Sequence, residues 1–316
     1  QELFDAYKTA FDVTQAQLEG LLAQIADARA NGETVSQAWL FRRSRLERLQ
    51  QQALNEMIGF ARLSERRVTR EQQNAVSRAG EDAKQLAFAG LEDAGTVLPQ
   101  ISTTWNRLPT EALTDLVGAL QDGSPLRTLF DDFGLRASEG IRQALISGLA
   151  TGANPREIGR QIRQVLDIGL SRAQSIARTE TLRAYRSASL RSYEENSDVV
   201  SGWMWWASLS ARTCAMCLAM HGKKFPHTTP FGSHVNCRCA VVPVVKDASV
   251  LRTGEDWLRS QSEETQEAVL GIQAAQAWRE GVVTLEDFIG LSHSDRWGTG
   301  RFTLSLKEAK FKASLR

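Results

Sequence analysis

Cysteine is scarce in this chain, and its few copies are confined to one place. Only four cysteines occur in 316 residues, and all of them fall between Cys214 and Cys239. Disulfide-stapled secreted scaffolds spread many cysteines over a short chain, so the pattern argues against that class. Long apolar runs and a basic-then-apolar leader are also missing. We therefore expect a soluble protein that is not exported by itself and spans no membrane.

Several catalytic signatures are missing as well. The sequence contains no glycine-rich phosphate loop, no Ser/His/Asp arrangement and no paired-carboxylate signature. Lysine is rare, with 8 lysines against 30 arginines. Arginine suits bidentate contacts with phosphate and carboxylate groups, although genomic base composition produces the same bias. The formal net charge of +1 argues against a surface that is basic throughout.

The cysteines form the most informative motif. Cys214-Ala-Met-Cys217 is followed by His234-Val-Asn-Cys237-Arg-Cys239. Two thiolates at Cys-x-x-Cys spacing can share one ion, and the second group can complete the tetrahedron that zinc prefers. The pattern predicts a structural Zn²⁺ site built from four of five candidates: Cys214, Cys217, His234, Cys237 and Cys239.

Alternatives to this ligand set remain open. Cys237 and Cys239 alternate along the chain, so a strand can direct both at one ion only if it bends, and one candidate can be a bystander. His221 and His227 lie between the two groups but are weaker candidates, because a histidine in a turn is more often solvated. Cross-cluster disulfides and incidental core thiols are the competing interpretations of the cysteines.

Apolar residues at spacings of three and four predict long helices over the first ninety residues. We expect a first helix that ends at Asn31-Gly32, a second that follows Thr34-Val-Ser36, and a third from about Glu65 to Leu91. Together they predict an antiparallel helical hairpin or bundle. Further helices are predicted to start near Asn154 and Ser171.

Strand signals begin after residue 199. Ser201–Ser208, Lys224-Phe225 and Ala240–Val245 have the aromatic or β-branched character of short strands. The tryptophans of the first strand are expected to cover the metal site, since so small a module needs bulky apolar cover. The predicted fold class is mainly α with a small β-containing zinc module (α+β) and a long helical N-terminal arm or bundle. The predicted segments are a helical arm (1–98), a helical region (99–199), the zinc module (200–245) and a mostly helical tail (246–316), with a candidate terminal strand at Phe302–Leu306.

Arginine is concentrated in two predicted helical segments, each with a local charge of about +5. Solvated helix faces explain such charge rows, and contact with nucleic acid or with an acidic protein ring is the more specific hypothesis. The candidate contacts are Arg42, Arg43, Arg45, Arg160 and Arg163. Glu180 lies on a small-residue face and requires a partner if it is buried. We expect a structural polar cluster of Arg178, Glu180 and Arg212, with an exposed Glu180–Arg183 helical pair as the alternative.

Five motifs occur in a characteristic order: Ala177-Arg-Thr-Glu-Thr181, a tryptophan-containing strand, Arg212-Thr-Cys-Ala-Met-Cys217, Gly222-Lys-Lys-Phe225 and His234-Val-Asn-Cys-Arg-Cys239 ending in Val242-Pro243. In this order the chain resembles the phage Mu protein F-like minor head protein family of tailed phages, from about Gly148 to Val245. Family members often have Asp where this chain has Ser210 and Pro where it has Val235. The helical arm lies outside the motifs.

The resemblance implies a virion component present in few copies and without enzymatic activity. It would lie in the capsid interior near the portal vertex, after assembly in the host cytoplasm, and act in head morphogenesis and in DNA packaging or ejection. The implied partners are the portal protein, other capsid or head proteins, and packaged double-stranded DNA bound through phosphates without sequence specificity. The candidate arginines would then contact the DNA or the portal, and zinc would be a structural staple.

Two other functions are weighed against this one. A zinc-dependent nuclease acting on DNA would use a histidine such as His234 to activate water, but no acidic pair stands near the cluster in sequence. A sequence-specific zinc-finger regulator would need a base-reading helix directly after the Cys-x-x-Cys motif, where the chain instead has Leu218-Ala-Met220 and a turn.

Overall fold

The computed structural model describes residues 2–35, 39, 45–93, 105–120, 124–131, 133–150, 153, 155–245, 252–294 and 298–316. These residues are mainly helical and include two small antiparallel sheets, as predicted. The α-helices are α1 (Glu2–Ala30), α2 (Arg45–Asp93), α3 (Thr110–Thr114), α4 (Phe133–Ala150), α5 (Pro155–Glu195), α6 (Ala215–Met220), α7 (Gly254–Arg259), α8 (Glu263–Leu270), α9 (Ile272–Arg279) and α10 (Leu306–Ala313). The strands are β1 (Val200–Trp206), β2 (Lys224–Phe225), β3 (Ala240–Val245), β4 (Ile289–Ser294) and β5 (Gly298–Thr303), and 3-10 turns occupy Leu126–Leu129 and Leu285–Phe288.

The chain divides into two compact units. The first comprises residues 1–70 and 125–178, and the second comprises residues 71–124 and 179–316. Each of the two longest helices, α2 and α5, contributes residues to both units. The predicted division into four consecutive segments stays a prediction.

Helices α1 and α2 pack antiparallel in the first unit. Glu2 at the start of α1 forms an ion pair with Arg67 at 2.7 Å, and Tyr7 meets Phe60 edge-on with ring centroids 5.4 Å apart. The partners run in opposite directions along the two helices, so the predicted antiparallel hairpin is confirmed. Buried α1 residues recur at spacings of three and four, which places one apolar stripe against its neighbours. Gly32, at φ 75°, follows the end of α1 as predicted.

Two predicted helix boundaries are wrong. A single helix of 49 residues replaces the expected second and third helices, and α5 continues past Ser171 without interruption. No proline interrupts either stretch, and glycine alone only weakens a helix. Ser64, next to the expected start of the third helix, is fully buried inside α2. This polar residue packs within a continuous helix and does not mark a helix end.

The second unit contains a three-stranded sheet in the order β2-β1-β3, with both pairings antiparallel. The three predicted strands are thus confirmed. Buried residues of β1 and β3 share a core with Ala83, Ala87 and Leu91 of α2 and with Tyr193 of α5. Alanine at the helix positions permits close approach of the sheet and its tryptophans.

The C-terminal part of the second unit is less helical than expected. Helices α7, α8 and α9 are followed by a hairpin in which β4 pairs with β5, and then by α10. Strand β5 ends at Thr303, and Ser305 caps α10 through a capping box with Glu308, so the predicted terminal strand ends three residues too late. No helix among the described residues combines the length and apolar content that a membrane crossing needs.

Gly254 marks a close contact between α7 and α6. A β-carbon at this position would collide with the backbone of Leu218, whereas one at Gly80 in α2 would meet nothing within 4 Å. We expect Gly254→Ala to lower the free energy of unfolding by about 1–3 kcal/mol because the two backbones must separate. Gly80→Ala should raise it by about 0.5–1 kcal/mol, since alanine is the better helix former. Urea denaturation of both variants tests this, and equal effects would contradict it.

Candidate metal centre

Five residues form the Cys/His cluster: Cys214, Cys217, His234, Cys237 and Cys239. Its first ligand group is Cys214, Cys217 and His234, and a short helix carries the two cysteines. Cys214 caps the N-terminus of α6, and Cys217 lies one turn further. The His234 Nε2 atom is 3.4 Å from the Sγ atoms of both cysteines. The three ligand atoms lie within 4.8 Å of one another.

His234 presents this nitrogen because of a tight turn. Its Nδ1 donates to the Val235 carbonyl at 2.8 Å, so Nε2 is the ring nitrogen that is directed at the cysteines. Asn236 follows in the left-handed region at φ 63°, a conformation that asparagine tolerates better than most residues. The Cys237 backbone N–H then donates to the His234 carbonyl at 3.2 Å and closes the turn.

The second ligand group consists of Cys217, Cys237 and Cys239, whose sulfur atoms also lie within 4.8 Å of one another. Cys217 belongs to both groups, and its Sγ is 3.8 Å from that of Cys237. The chain therefore bends enough to direct both Cys237 and Cys239 toward Cys217. All four cysteines, which lie in the described part of the chain, are free thiols, so the cross-cluster disulfides do not form.

The cysteines of the cluster divide into two with a lowered pKa, Cys214 and Cys237, and two with a raised pKa, Cys217 and Cys239. Hydrogen bonding to Cys217 lowers the pKa of Cys214 to about 4. The contact with Cys214 in turn raises the pKa of His234 to about 10. Cys217 also lowers the pKa of Cys237. Thiolates and a protonated imidazole thus coexist in a largely buried space, where a cation could replace the shared protons.

One face of α5 holds the second half of the cluster. Three polar side chains at seven-residue intervals, which we name the α5 row, each hydrogen-bond the backbone of the segment from 236 to 241. Thr179 accepts from the Asn236 N–H at 3.0 Å, and the Tyr193 hydroxyl donates to the Val241 carbonyl at 3.3 Å. Between them, Arg186 donates from Nε to the Cys239 carbonyl at 2.9 Å and from Nη2 to the Cys237 carbonyl at 2.8 Å.

Apart from Thr179 as part of a motif, the sequence analysis missed the α5 row. A seven-residue interval is close to two helical turns, so the three side chains share one face. Polar residues repeated at this interval were the available signal, and the buried alanines Ala184 and Ala188 lie on the opposite face, where they pack with Val76 and Ala79.

Aromatic rings cover the cluster from the sheet. Trp203 and Trp205 are fully buried in the same core as the cysteines. Trp205 stacks on Phe231 with ring centroids 3.9 Å apart, and Trp203 stacks on Phe225 at 4.5 Å. Among the tryptophans of this strand, Trp206 is the exposed one. Two of the three tryptophans therefore cover the cysteines, in agreement with the expectation.

Glu180 is buried, but its ion-pair partner is Arg183. The Arg183 Nε donates to Glu180 Oε2 at 2.8 Å, and its Nη2 donates to the Ala119 carbonyl. Burial raises the pKa of Glu180, and the charge of Arg183 opposes that shift. Arg178 and Arg212 are exposed, and the grouping of Arg178, Glu180 and Arg212 stays a prediction. The alternative Glu180–Arg183 pair does form, but it is buried rather than exposed.

The remaining predicted residues lie elsewhere. Arg42 and Arg43 fall outside the described residues, as does the side chain of Arg45 at the start of α2. Arg160 forms an ion pair with Glu157 at 2.9 Å, and Arg163 lies 5.8 Å above the ring of Phe11.

The histidines that lie between the two motifs belong to neither ligand group. His221 is buried rather than solvated, because its Nδ1 accepts from the Ala207 N–H at 3.0 Å. Ser210, at the position where the resemblance suggests Asp, still anchors its turn through a 3.3 Å contact between its hydroxyl and that of Thr213.

Comparison with known proteins identifies one family. Residues 139–242 match the family model described as Phage Mu protein F like protein. The match spans the whole Cys/His cluster and the α5 row, and it confirms the resemblance noted from the motifs. No curated protein and no solved structure gives a significant match.

Metal binding is testable by matched substitutions. We expect the purified protein to hold about one divalent ion per chain and Cys217→Ser to abolish binding, because Cys217 belongs to both ligand groups. His234→Ala should weaken binding strongly, whereas His293→Ala, which changes an exposed histidine of β4, should not. Metal content by mass spectrometry measures both effects. Equal metal content in all variants would contradict the site.

Proposed function

We propose that this chain, which carries a Phage Mu protein F like domain at residues 139–242, is a minor head protein of a tailed bacteriophage. It acts without enzymatic activity in head morphogenesis and in packaging or ejection of the DNA. The observation that carries the proposal is that the matched span contains every residue of the Cys/His cluster and of the α5 row. The family signature and the folded metal centre are thus one structural element.

Zinc is the ion that fits the donor set best. A tetrahedral zinc ion, with bonds of about 2.3 Å to sulfur and 2.0 Å to nitrogen, keeps its ligand atoms about 3.5–3.8 Å apart. The cluster has sulfur-to-nitrogen separations of 3.4 Å and a sulfur-to-sulfur separation of 3.8 Å. Four of the five candidates would hold the ion. It would tie α6 to the turn before β3.

The geometry of His234 supports a structural role for the ion. Both ring nitrogens are engaged, since Nδ1 donates to Val235 and Nε2 faces two sulfur atoms. A general base needs a ring nitrogen directed at water or substrate. A thiolate-rich set of protein ligands is typical of structural zinc, whereas hydrolytic zinc keeps an open position. These features favour a head protein over the zinc-dependent nuclease.

The first unit offers the element for docking on the portal protein or other head proteins. Its antiparallel helices α1 and α2 expose scattered apolar side chains, among them Phe4, Val13 and Ile58. Long helices of this kind bind through grooves between partner helices. We place the protein in the virion, in the capsid interior near the portal vertex, after assembly in the host cytoplasm.

Packaged DNA is the other proposed partner. Arg62, Arg66 and Arg70, the α2 arginine row, are exposed on one helix face at four-residue intervals. None of the three has an ion-pair partner within the part of the chain that the structure describes. Unpaired arginines in a row suit contact with successive phosphates, which requires no base reading.

Incorporation into heads is the decisive test of the proposed function. Phage carrying His234→Ala or the control His293→Ala would be compared with wild type by quantitative mass spectrometry of purified particles. We expect the wild-type and control chains in particles at far fewer copies than the major capsid protein, cross-linked to the portal. The His234→Ala chain should be depleted because its module is destabilised. Wild-type chain that is abundant in infected cells but absent from particles would refute the proposal.

DNA contact predicts a specific salt dependence. Replacing Arg62, Arg66 and Arg70 together by Gln should reduce the slope of log affinity against log salt by about 0.9 for each phosphate that is no longer neutralised. Arg160→Gln, at an arginine already paired with Glu157, is the matched control and should change the slope less. Fluorescence anisotropy with duplexes of unrelated sequence measures both. An unchanged slope in the triple variant would exclude this face.

A further inference from the structure

Arg186 is a buried cation without a carboxylate partner. It is 5% exposed. Its Nε and Nη2 donate to the carbonyls of Cys239 and Cys237, and its guanidinium lies 4.6 Å above the ring of Phe231. None of the ion pairs among the described residues involves it. Arg186 therefore has good hydrogen bonds and a stacking partner but no fixed anion.

A buried guanidinium requires compensation because arginine stays protonated in proteins. Carbonyl dipoles and a ring face supply only part of what water or a carboxylate would supply. Cys237 and Cys239, whose carbonyls Arg186 binds, can supply the compensating charge as metal-bound thiolates.

The positive charge of Arg186 then restricts how many thiolates the metal centre contains. A divalent ion with two thiolates and two neutral ligands is neutral overall, one with three thiolates carries a charge of about −1, and one with four carries about −2. Only a centre with three or more thiolates leaves an anion for Arg186 to pair with. Any four of the five candidate ligands include at least three cysteines.

We propose that Arg186 is the outer-shell cation of an anionic metal–thiolate centre, a positioning residue that both balances its charge and holds Cys237 and Cys239 in a ligating conformation. This inference rests on the proposed metal site. It assigns to one side chain a role that neither the cysteine motifs nor the family match indicates.

Arg186 donates from two nitrogen atoms at once, and this geometry explains how it positions Cys237 and Cys239. Cys237 and Cys239 are two residues apart, and a regular strand would carry their side chains on one face without converging on a point. The planar guanidinium binds both carbonyls at once, which fixes the orientation of the Cys237–Arg238 and Cys239–Ala240 peptide units. Thr179 and Tyr193 hold the chain on either side. The bend that directs both sulfurs toward Cys217 is thereby kept in place.

The test compares three variants of the full chain. Arg186→Gln removes the charge and one of the two donating nitrogens, and Arg186→Lys keeps the charge but cannot bind two carbonyls in one plane. Tyr185→Phe, on the same helix but outside the α5 row, removes the hydrogen bond that the Tyr185 hydroxyl donates to Asp82 and is the control. Zinc affinity is measured by competition with a chromogenic chelator. We expect Arg186→Gln to lower the affinity about 10- to 100-fold, the effect of removing an outer-shell partner. Arg186→Lys should recover part of that affinity, and Tyr185→Phe should stay close to wild type.

A second readout uses the unaltered protein, so that a variant that does not fold leaves the inference testable. Co²⁺ replaces zinc in tetrahedral sites, and the intensity of its thiolate charge-transfer absorption increases with the number of bound sulfurs. We expect at least three thiolates. Two or fewer, or an Arg186→Gln affinity equal to wild type, would overturn the role of Arg186. Wild-type protein that binds neither Zn²⁺ nor Co²⁺ would instead refute the metal site itself.

Discussion

The organisation of the second unit depends on the hydrogen bonds between one buried guanidinium and two carbonyls. Arg186 binds the backbone of Cys237 and Cys239 from the middle of α5. Every residue carries a backbone carbonyl, so no substitution removes these acceptors. The contact therefore constrains the path of the backbone and not the identity of the side chains. The convergence of the sulfur atoms follows from that path. The sheet pairing of β3 begins directly after it, at Ala240.

Around Arg186 and the cysteines, apolar packing and polar contacts contribute to the structure in different ways. Tryptophans of β1, alanines of α2 and three of the cysteines form one core. This core buries apolar surface, but apolar burial does not fix the orientation of the backbone. The α5 row fixes the orientation of the backbone that it binds, because each of its hydrogen bonds has a defined geometry. A module with a short three-stranded sheet needs both, since its area alone is small. The cysteines belong to both systems, as core residues and as candidate ligands.

Local features of this fold could be predicted from the sequence, and long-range ones could not. The five candidate ligands and the three strands around them were identified from spacing and residue type, and the structure brings those ligands together. The helix boundaries near Glu65 and Ser171 were wrong because polar residues in a helix resemble a break when the buried partner is unknown. The hairpin of β4 and β5 was missed, since its strands are glycine-rich and half exposed. Arg186 was missed because its partners are carbonyls, which every residue carries.

The seven-residue interval of the α5 row has a consequence for how this helix can change during evolution. Inserting or deleting one residue between Thr179 and Tyr193 rotates everything beyond it by about 100° and moves it by about 1.5 Å along the axis. The row would then face away from the backbone that it binds, even if every side chain were retained. Many single substitutions along this helix leave its register intact, but a change in length does not. Helix length between these two residues is therefore the property under the strongest constraint, and related chains should vary there in residue identity far more than in residue number.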